Sequence, residues 1–165
     1  MKKVLMLLCA CIAMFGCKKD SDPEVETSLA QSGKVVCEID GKAYAHNGSG
    51  YVLGDNFSFV KAENGSEQLS IDFYGMREGD YQITGNDAKT AGNAKIYFFA
   101  DNTSKITYVS KSGSFKVTKY QLTGGFKVSG TFSATMEKFN DKTPTGETIE
   151  IKNGSFTDIV LFEGR

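Results

Sequence analysis

The residues best suited to nucleophilic catalysis are Cys37 and His46, because a thiol becomes a nucleophile when a base lies within hydrogen-bond reach. They flank Asp40-Gly41, a dipeptide typical of tight β-hairpins. A two-residue loop would place both side chains on one face as diagonal neighbours roughly 7–8 Å apart, too far for a direct hydrogen bond. A three-residue loop ending at Gly41 would place them on opposite faces and pair Glu38 with Lys42. We favour this second register, in which Cys37 is a small buried hydrophobic residue and His46 a polar residue near the turn.

Other kinds of site find less support in the residue types. Zinc sites draw on several Cys and His ligands, and this chain has one histidine. Acidic runs suited to calcium fall where loops are expected, at 20–22, 55–56 and 101–102. Asp72 and Glu150 are candidates for two-carboxylate glycoside hydrolysis, but nothing in their spacing selects them. We therefore predict no catalytic residue, no metal site and no cofactor, and we interpret these acids as solvated.

The N-terminus has the pattern of an export signal. Two lysines follow Met1, and Val4–Phe15 is apolar throughout but shorter than the roughly 20 residues that span a membrane. The run ends Met14-Phe-Gly-Cys17, and a small residue directly before a cysteine at this place resembles the lipobox of bacterial lipoproteins. The resemblance implies cleavage after residue 16 and a lipid on Cys17. An ordinary signal peptide is the alternative.

A flexible tether is predicted for residues 17–33. This segment is polar and acidic and has no period, and a chain of this length spans on the order of 20 Å. The lysines followed by acids just after Cys17 look like the surface-export tag of Bacteroidota lipoproteins. We expect a protein held at the bacterial outer membrane by its lipid and possessing three regions, namely a signal peptide (1–16), the tether and one folded domain (34–165).

The amino-acid composition excludes further classes of protein. A net charge of −1 offers no basic surface for nucleic acid, and 40% hydrophobic residues exclude general disorder. Cys9 and Cys11 would leave with the signal and Cys17 would carry lipid, so Cys37 would remain alone and no internal disulfide could form. A domain of this length can bury a core large enough to fold without such bridges.

The folded region has the two-residue period of β-strands. In Phe126–Met136 every even position is apolar or glycine and every odd one is Lys, Ser or Thr, which predicts one dry and one wet face. Ile96–Ala100 and Ile159–Phe162 are apolar on both faces, which predicts central strands or strands covered on both sides. Asn-Gly, Asp-Gly and Gly-Gly turn signals separate such runs. We predict an all-β domain of about 8–10 antiparallel strands, a β-sandwich with a lipocalin-like barrel as the alternative.

The hairpin around Asn64-Gly65 allows a prediction of register. A three-residue loop over 63–65 would pair Phe59 with Leu69, Phe57 with Ile71 and Lys61 with Glu67, which satisfies packing and charge together. A glycine in the left-handed region at the third loop position is a common way to build such a turn. We therefore predict that Phe57 and Phe59 face the core.

Several strand motifs resemble a family of uncharacterised Bacteroidota lipoproteins. They are Ile39–Lys42, Gly79–Tyr81, Gly113–Tyr120, Val128–Phe132 and Ile149–Phe156. The resemblance implies an all-β domain behind a lipobox signal. Because these motifs consist of strand and turn residues, it implies no catalytic residue.

The function expected from these observations is non-catalytic. We predict a membrane-anchored lipoprotein whose β domain binds a glycan or another protein, with the lipid as its membrane partner. A carrier of a small apolar ligand and a carboxylate-dependent hydrolase are the alternatives. Exposed tyrosines are the candidate platforms for a ligand, and the set to inspect is Tyr44, Tyr51, Tyr74, Tyr97, Tyr108 and Tyr120.

Overall fold

A computed structural model of the chain describes residues 33–54, 56–84, 89–101 and 103–164. The predictions for the signal peptide, for Cys17 and for nearly all of the tether therefore lie outside the described residues. No helix able to cross a membrane occurs in the described part of the chain. The nine strands are β1 (Lys34–Ile39), β2 (Lys42–Leu53), β3 (Phe57–Asn64), β4 (Glu67–Tyr74), β5 (Gly79–Ile83), β6 (Asn93–Phe99), β7 (Ile106–Gln121), β8 (Lys127–Asn140) and β9 (Thr143–Glu163).

The strands close into one barrel. In hydrogen-bonding order they run β1-β2-β3-β4-β6-β5-β7-β8-β9, and β9 returns to pair with β1. Most neighbours are antiparallel, and β5 with β6 and β2 with β9 form short parallel contacts. The predicted all-β class with eight to ten strands is confirmed, and the single closed sheet corresponds to the barrel alternative.

The barrel has two distinct ends. The distal end carries the turns at 40–41, 65–66 and 141–142, which join β1 to β2, β3 to β4 and β8 to β9. The proximal end carries the connections from β2 to β3, from β4 to β5 and from β7 to β8, and Gly33 leads into β1 on this side of the barrel. There the Gly33 amide donates to the Thr157 carbonyl at 2.7 Å, and the Gly48 amide donates to the Gly33 carbonyl at 2.8 Å. The N-terminal segment therefore joins the barrel at the end opposite its tight turns.

Alternating side chains fill the barrel. On β8 the even positions from Val128 to Met136 are buried, as the sequence pattern predicts. Phe73, Phe115 and Phe156 are among the largest side chains and are at most 1% exposed. The core residues of the described chain lie between Val35 and Leu161 and form one hydrophobic cluster.

The predicted register of the β1–β2 hairpin is wrong. The loop has two residues, and Ile39 pairs with Lys42, Cys37 with Tyr44 and Val35 with His46. Asp40 and Gly41 both take positive φ, 50° and 76°, which is the backbone of a type I′ turn. This turn follows the twist of the strands, and it sets Cys37 and His46 on the same face.

The predicted register of the β3–β4 hairpin is also wrong. Its loop is Gly65-Ser66, so that Asn64 pairs with Glu67 and Phe59 with Asp72. Gly65 stands at the first loop position with φ 58°, where a type II′ turn requires glycine. Phe57 and Phe59 therefore point outward. The smaller Ser58, Val60 and Ala62 face the crowded interior instead.

Two Asn-Gly dipeptides, which are typical of turns, lie inside strands. Asn47-Gly48 is part of β2 and Asn153-Gly154 is part of β9. Asn153 has φ 53° beside a register shift between β8 and β9, so this dipeptide forms a β-bulge rather than a hairpin. At Gly48, a Cβ atom would stand 2.5 Å from the Ile159 side chain, so close packing explains the glycine.

The last two strands pair a glycine of one strand with a phenylalanine of the other at two positions. Gly130 of β8 pairs with Phe156 of β9, and Phe132 of β8 pairs with Gly154 of β9. A Cβ on Gly130 would stand 2.5 Å from the Phe156 ring, and one on Gly154 would stand 2.6 Å from the Phe132 ring. Each ring therefore occupies the space over the glycine opposite it. This reciprocal packing explains the Gly-x-Phe pattern of both strands.

Candidate functional site

Cys37 does not have the surroundings of a nucleophile. It is 3% exposed, and burial, with the Glu38 charge adding to it, raises the pKa of its thiol to about 12. The thiol is therefore protonated at neutral pH. His46 lies on the same face, but its ring packs edge-on against Tyr44 with the centroids 4.4 Å apart.

The acidic candidates are dispersed. Asp72 lies on β4 and accepts a hydrogen bond from Ser70 at 3.2 Å, whereas Glu150 lies on β9 and accepts one from Thr135 at 2.9 Å. Because β4 and β9 are not neighbours in the sheet, the structure does not bring these two carboxylates together. Asp101 accepts hydrogen bonds from the amide and hydroxyl of Thr103, which is an ordinary loop role. Asp55 and Asn102 lie outside the described residues.

A pocket of about 280 Å³ opens at the distal end of the barrel. We call it the distal pocket, and ten residues line it: Ile39, Asp40, Lys42, Ala43, Tyr44, Glu67, Phe98, Ala100, Tyr108 and Ile149. They come from six segments, namely β1 with the turn that follows it, β2, β4, β6 with the residue that follows it, β7 and β9. Closure of the barrel therefore assembles the pocket from segments far apart in the chain. Its volume lies near the lower limit of the roughly 300–1,000 Å³ usual for small-molecule sites.

Three rings form the apolar part of the distal pocket. Tyr44 meets Phe98 edge-on with centroids 6.4 Å apart, and Phe98 lies 6.0 Å from Tyr108. The Tyr44 hydroxyl donates to the Ala62 carbonyl at 2.8 Å, which fixes the ring. Burial raises the pKa of Tyr44, and the neighbouring Glu67 charge adds to this effect, so the hydroxyl stays neutral. Tyr108 is half-buried and is the most accessible of the three rings.

Charged side chains form the rim of the distal pocket. Asp40 and Lys42 are exposed on the β1–β2 hairpin, and Glu67 is half-buried at the start of β4. The Asp40 amide donates to the Glu150 carbonyl at 2.8 Å, which ties this turn to β9. Two carboxylates and an ammonium thus stand beside aromatic faces. Such a site can stack an apolar ligand face and accept hydrogen bonds from hydroxyl groups.

Sequence reasoning found part of this site. Tyr44 and Tyr108 belong to the tyrosines predicted as candidate platforms for a ligand. Nothing in the sequence marked Glu67 or Phe98 as a candidate ligand contact. Of the other tyrosines, Tyr51 is 38% exposed, and Tyr74, Tyr97 and Tyr120 are half-buried. Among the residues that the structure describes, no group of three or more His, Cys, Asp or Glu could hold a metal ion.

The fold and the distal pocket define a small, closed all-β barrel with a ligand-sized recess at one end. Residues 31–160 match the family described as a domain of unknown function, DUF6252, and the chain belongs to this family. A search of curated proteins and a search of solved structures found no match.

Proposed function

We propose that this protein is a lipoprotein, attached to the outer membrane through Cys17, whose barrel binds a glycan in the distal pocket without catalysis. The observation that carries the proposal is the combination of aromatic rings and carboxylates in one recess. This recess lies at the end of the barrel opposite the junction with the N-terminal segment. A lipid at Cys17 would leave that end pointing away from the membrane.

Sugar chemistry suits the residues of the distal pocket. Sugar rings have apolar C–H faces that pack on aromatic rings, and Tyr108 offers such a face. Their hydroxyl groups donate to carboxylates and accept from ammonium groups, which Asp40, Glu67 and Lys42 provide. A volume of about 280 Å³ favours a terminal sugar of a glycan over a long internal segment.

The packed interior argues against a carrier of an apolar ligand. Phe73, Phe115 and Phe156 occupy the centre of the barrel and are almost wholly buried. The space for a ligand lies instead at one end, beside charged groups whose desolvation would oppose the binding of a purely apolar molecule.

A carboxylate-dependent hydrolase is the second candidate, and one observation favours it. Asp40 and Glu67 line the same pocket, although they lie in different hairpins. Glycoside hydrolysis uses two such groups on either side of the scissile bond. The release of new reducing ends from a bound glycan, abolished by Asp40→Asn and by Glu67→Gln, would establish this candidate in place of a binding protein.

A glycan array tests the binding site directly. The barrel from Lys34 onward is screened together with Tyr108→Ala, Glu67→Gln and the control Glu63→Gln. Glu63 pairs with Lys61 in the same hairpin as Glu67 but does not line the pocket. We expect bound glycans whose affinity falls about tenfold or more in Tyr108→Ala and Glu67→Gln, with no change in the control. Glycan binding that both pocket variants retain in full, or no glycan binding, would refute the proposed site.

Lipid attachment is tested separately by metabolic labelling with a radioactive fatty acid. The full chain should incorporate label, and Cys17→Ser should lose it. Equal labelling of both chains would refute attachment at Cys17. This result would leave the glycan assay on the isolated barrel unaffected.

A further inference from the structure

The exposed apolar side chains of the barrel are collected at its proximal end. Five large hydrophobic residues of the described chain are exposed by 36–54%, namely Tyr51, Leu53, Leu122, Val160 and Phe162. They lie at the end of β2, in the β7–β8 loop and near the end of β9. We call this group the proximal patch. Of the two alternatives predicted for Ile159–Phe162, coverage of both faces is not found, because Val160 and Phe162 are exposed. The other alternative agrees with the structure, since β9 has a neighbour on each side.

A row of stacked rings extends the proximal patch over the outer wall. Phe162 lies 5.8 Å from Tyr51, and Tyr51 stacks on Phe59 at 5.2 Å. Phe59 lies 6.0 Å from Phe57, and Phe57 lies 4.9 Å from Tyr74. The outward register of β3, which the sequence pattern did not reveal, produces this row. The five rings therefore form one continuous aromatic surface that includes Tyr51 and Phe162 of the proximal patch.

The N-terminal segment joins the barrel beside this patch. Gly33 is hydrogen-bonded to Gly48 and Thr157, and Tyr51 and Phe162 lie three and five residues further along those strands. At about 3.3 Å per residue, Tyr51 stands roughly 10 Å beyond Gly33 on the side away from the distal pocket. Phe162 lies level with Tyr51, because these two residues pair across the sheet. The proximal patch therefore lies on the proximal side of Gly33, the first residue that the structure describes.

We propose that the proximal patch docks on the lipid surface to which Cys17 is attached. This proposal rests on the proposed lipid attachment, because a lipid at Cys17 would bring the proximal end nearest the membrane. Fifteen residues lie between Cys17 and Gly33, and a flexible chain of that length spans on the order of 20 Å, which is long enough to allow contact. Phe, Tyr and Leu side chains insert favourably at the boundary between headgroups and acyl chains.

The charges at this end indicate apolar rather than electrostatic docking. Lys127 lies directly opposite Val160, but Glu163 follows Phe162 and Asp158 lies on the same strand. Cations and anions are thus mixed around the patch. We expect docking to depend weakly on salt, unlike the binding of a polybasic segment. If the barrel docks, the distal pocket would face away from the membrane at a fixed distance from it.

Tryptophan substitution tests this orientation, because the chain contains no tryptophan. Phe162→Trp places a single fluorophore in the proximal patch. Phe139→Trp places one near the distal end, where Phe139 pairs with Thr107, and serves as the matched control. The full chains are purified from a lipoprotein-processing bacterium and reconstituted into phosphatidylethanolamine–phosphatidylglycerol vesicles with brominated acyl chains. We expect Trp emission to fall about twofold or more for Phe162→Trp and to remain unchanged for Phe139→Trp.

A second arm separates docking from lipid attachment. Residues 1–17 are replaced by a hexahistidine tag, and the barrel is tethered to the same vesicles through a nickel-chelating lipid. Selective quenching at position 162 in this arm supports docking even if cells do not lipidate Cys17. Equal quenching at both positions, or no quenching at 162 on tethered protein, overturns docking while attachment stands. Docking is also overturned if the emission of the Trp at position 162 shows that it is already shielded from solvent before vesicles are added. In that case the N-terminal segment or a second copy would cover the patch.

Discussion

Gly154→Ala should destabilise the barrel strongly for an exchange that adds one methyl group. The new Cβ would stand 2.6 Å from the Phe132 ring and 2.5 Å from the Phe132 carbonyl oxygen, whereas ordinary contact begins at 3.4 Å. The ring would have to move by roughly 0.8 Å within a packed core, and the carbonyl belongs to the β8–β9 pairing. Overpacking of this kind costs about 1–3 kcal/mol, and a clash with both ring and backbone places this variant near 2–3 kcal/mol.

Urea and thermal unfolding of the barrel measure this loss. At about 4 °C per kcal/mol for a domain of this size, Tm should fall by about 8–12 °C. Gly54→Ala is the matched control, because a Cβ at Gly54 meets nothing within 4 Å and no positive φ is required there. In a double-mutant cycle with Phe132→Leu, removal of the ring should recover part of the loss. A Gly154→Ala barrel as stable as Gly54→Ala would refute the reciprocal packing of glycine and phenylalanine.

Three further outcomes follow from single contacts. Cys37 should resist a thiol reagent at pH 8 in the folded barrel and react at once in urea, because its thiol is buried with a pKa of about 12; rapid modification of folded protein would contradict this. Tyr81→Phe should lower the free energy of unfolding by about 1–3 kcal/mol in urea titrations, because the single hydroxyl proton of Tyr81 is shared between the carbonyls of Gly75 and Arg77, each 2.8 Å from the hydroxyl oxygen. An unchanged value would argue against this hydrogen bonding. The hydrogen bond from Lys119 lowers the pKa of the Asp158 carboxyl below its ordinary value of 3.8. Ionised Asp158 therefore stabilises the folded barrel fully above pH 3.8. This stabilisation is lost as the pH falls through the lowered pKa of the folded state. The difference in urea midpoint between the natural chain and Asp158→Asn should therefore be present at pH 6 and vanish in acid; a difference that grows in acid would contradict the sign.

The two-residue period of the sequence correctly predicted which side chains of strands β4 and β8 are buried. The core positions of β8, and those of Leu69, Ile71 and Phe73 on β4, are buried as their alternation indicates. The register of both hairpins was missed because a glycine signal identifies a turn but does not specify which loop position it occupies. Gly65 occupies the first loop position instead of the expected third, and with this register Phe57 and Phe59 lie on the outer wall instead of in the expected core.

The distal pocket could be predicted only in part, for a different reason. Its residues come from six segments that meet because the barrel closes, and closure depends on the pairing of β9 with β1 across the whole domain. Tyr108 was noticeable by its residue type. Glu67 reads as one more polar residue at a turn, and only the register of its hairpin places it beside the Tyr44 ring. Local pattern contains no information about such long-range neighbours.

The architecture itself limits where a partner can bind. In the described chain each of the nine strands has a neighbour on both sides, so no free edge is available for a partner to add a strand. The interior is filled by phenylalanine and aliphatic side chains, which leaves the two ends and the outer wall. If a lipid at Cys17 and the proximal patch orient the proximal end toward the membrane, the distal end is the part of the barrel most accessible to a ligand from outside. The recess that combines aromatic rings with carboxylates lies at that end, so the proposed attachment at Cys17 and the chemistry of the distal pocket are consistent with the same proposed function.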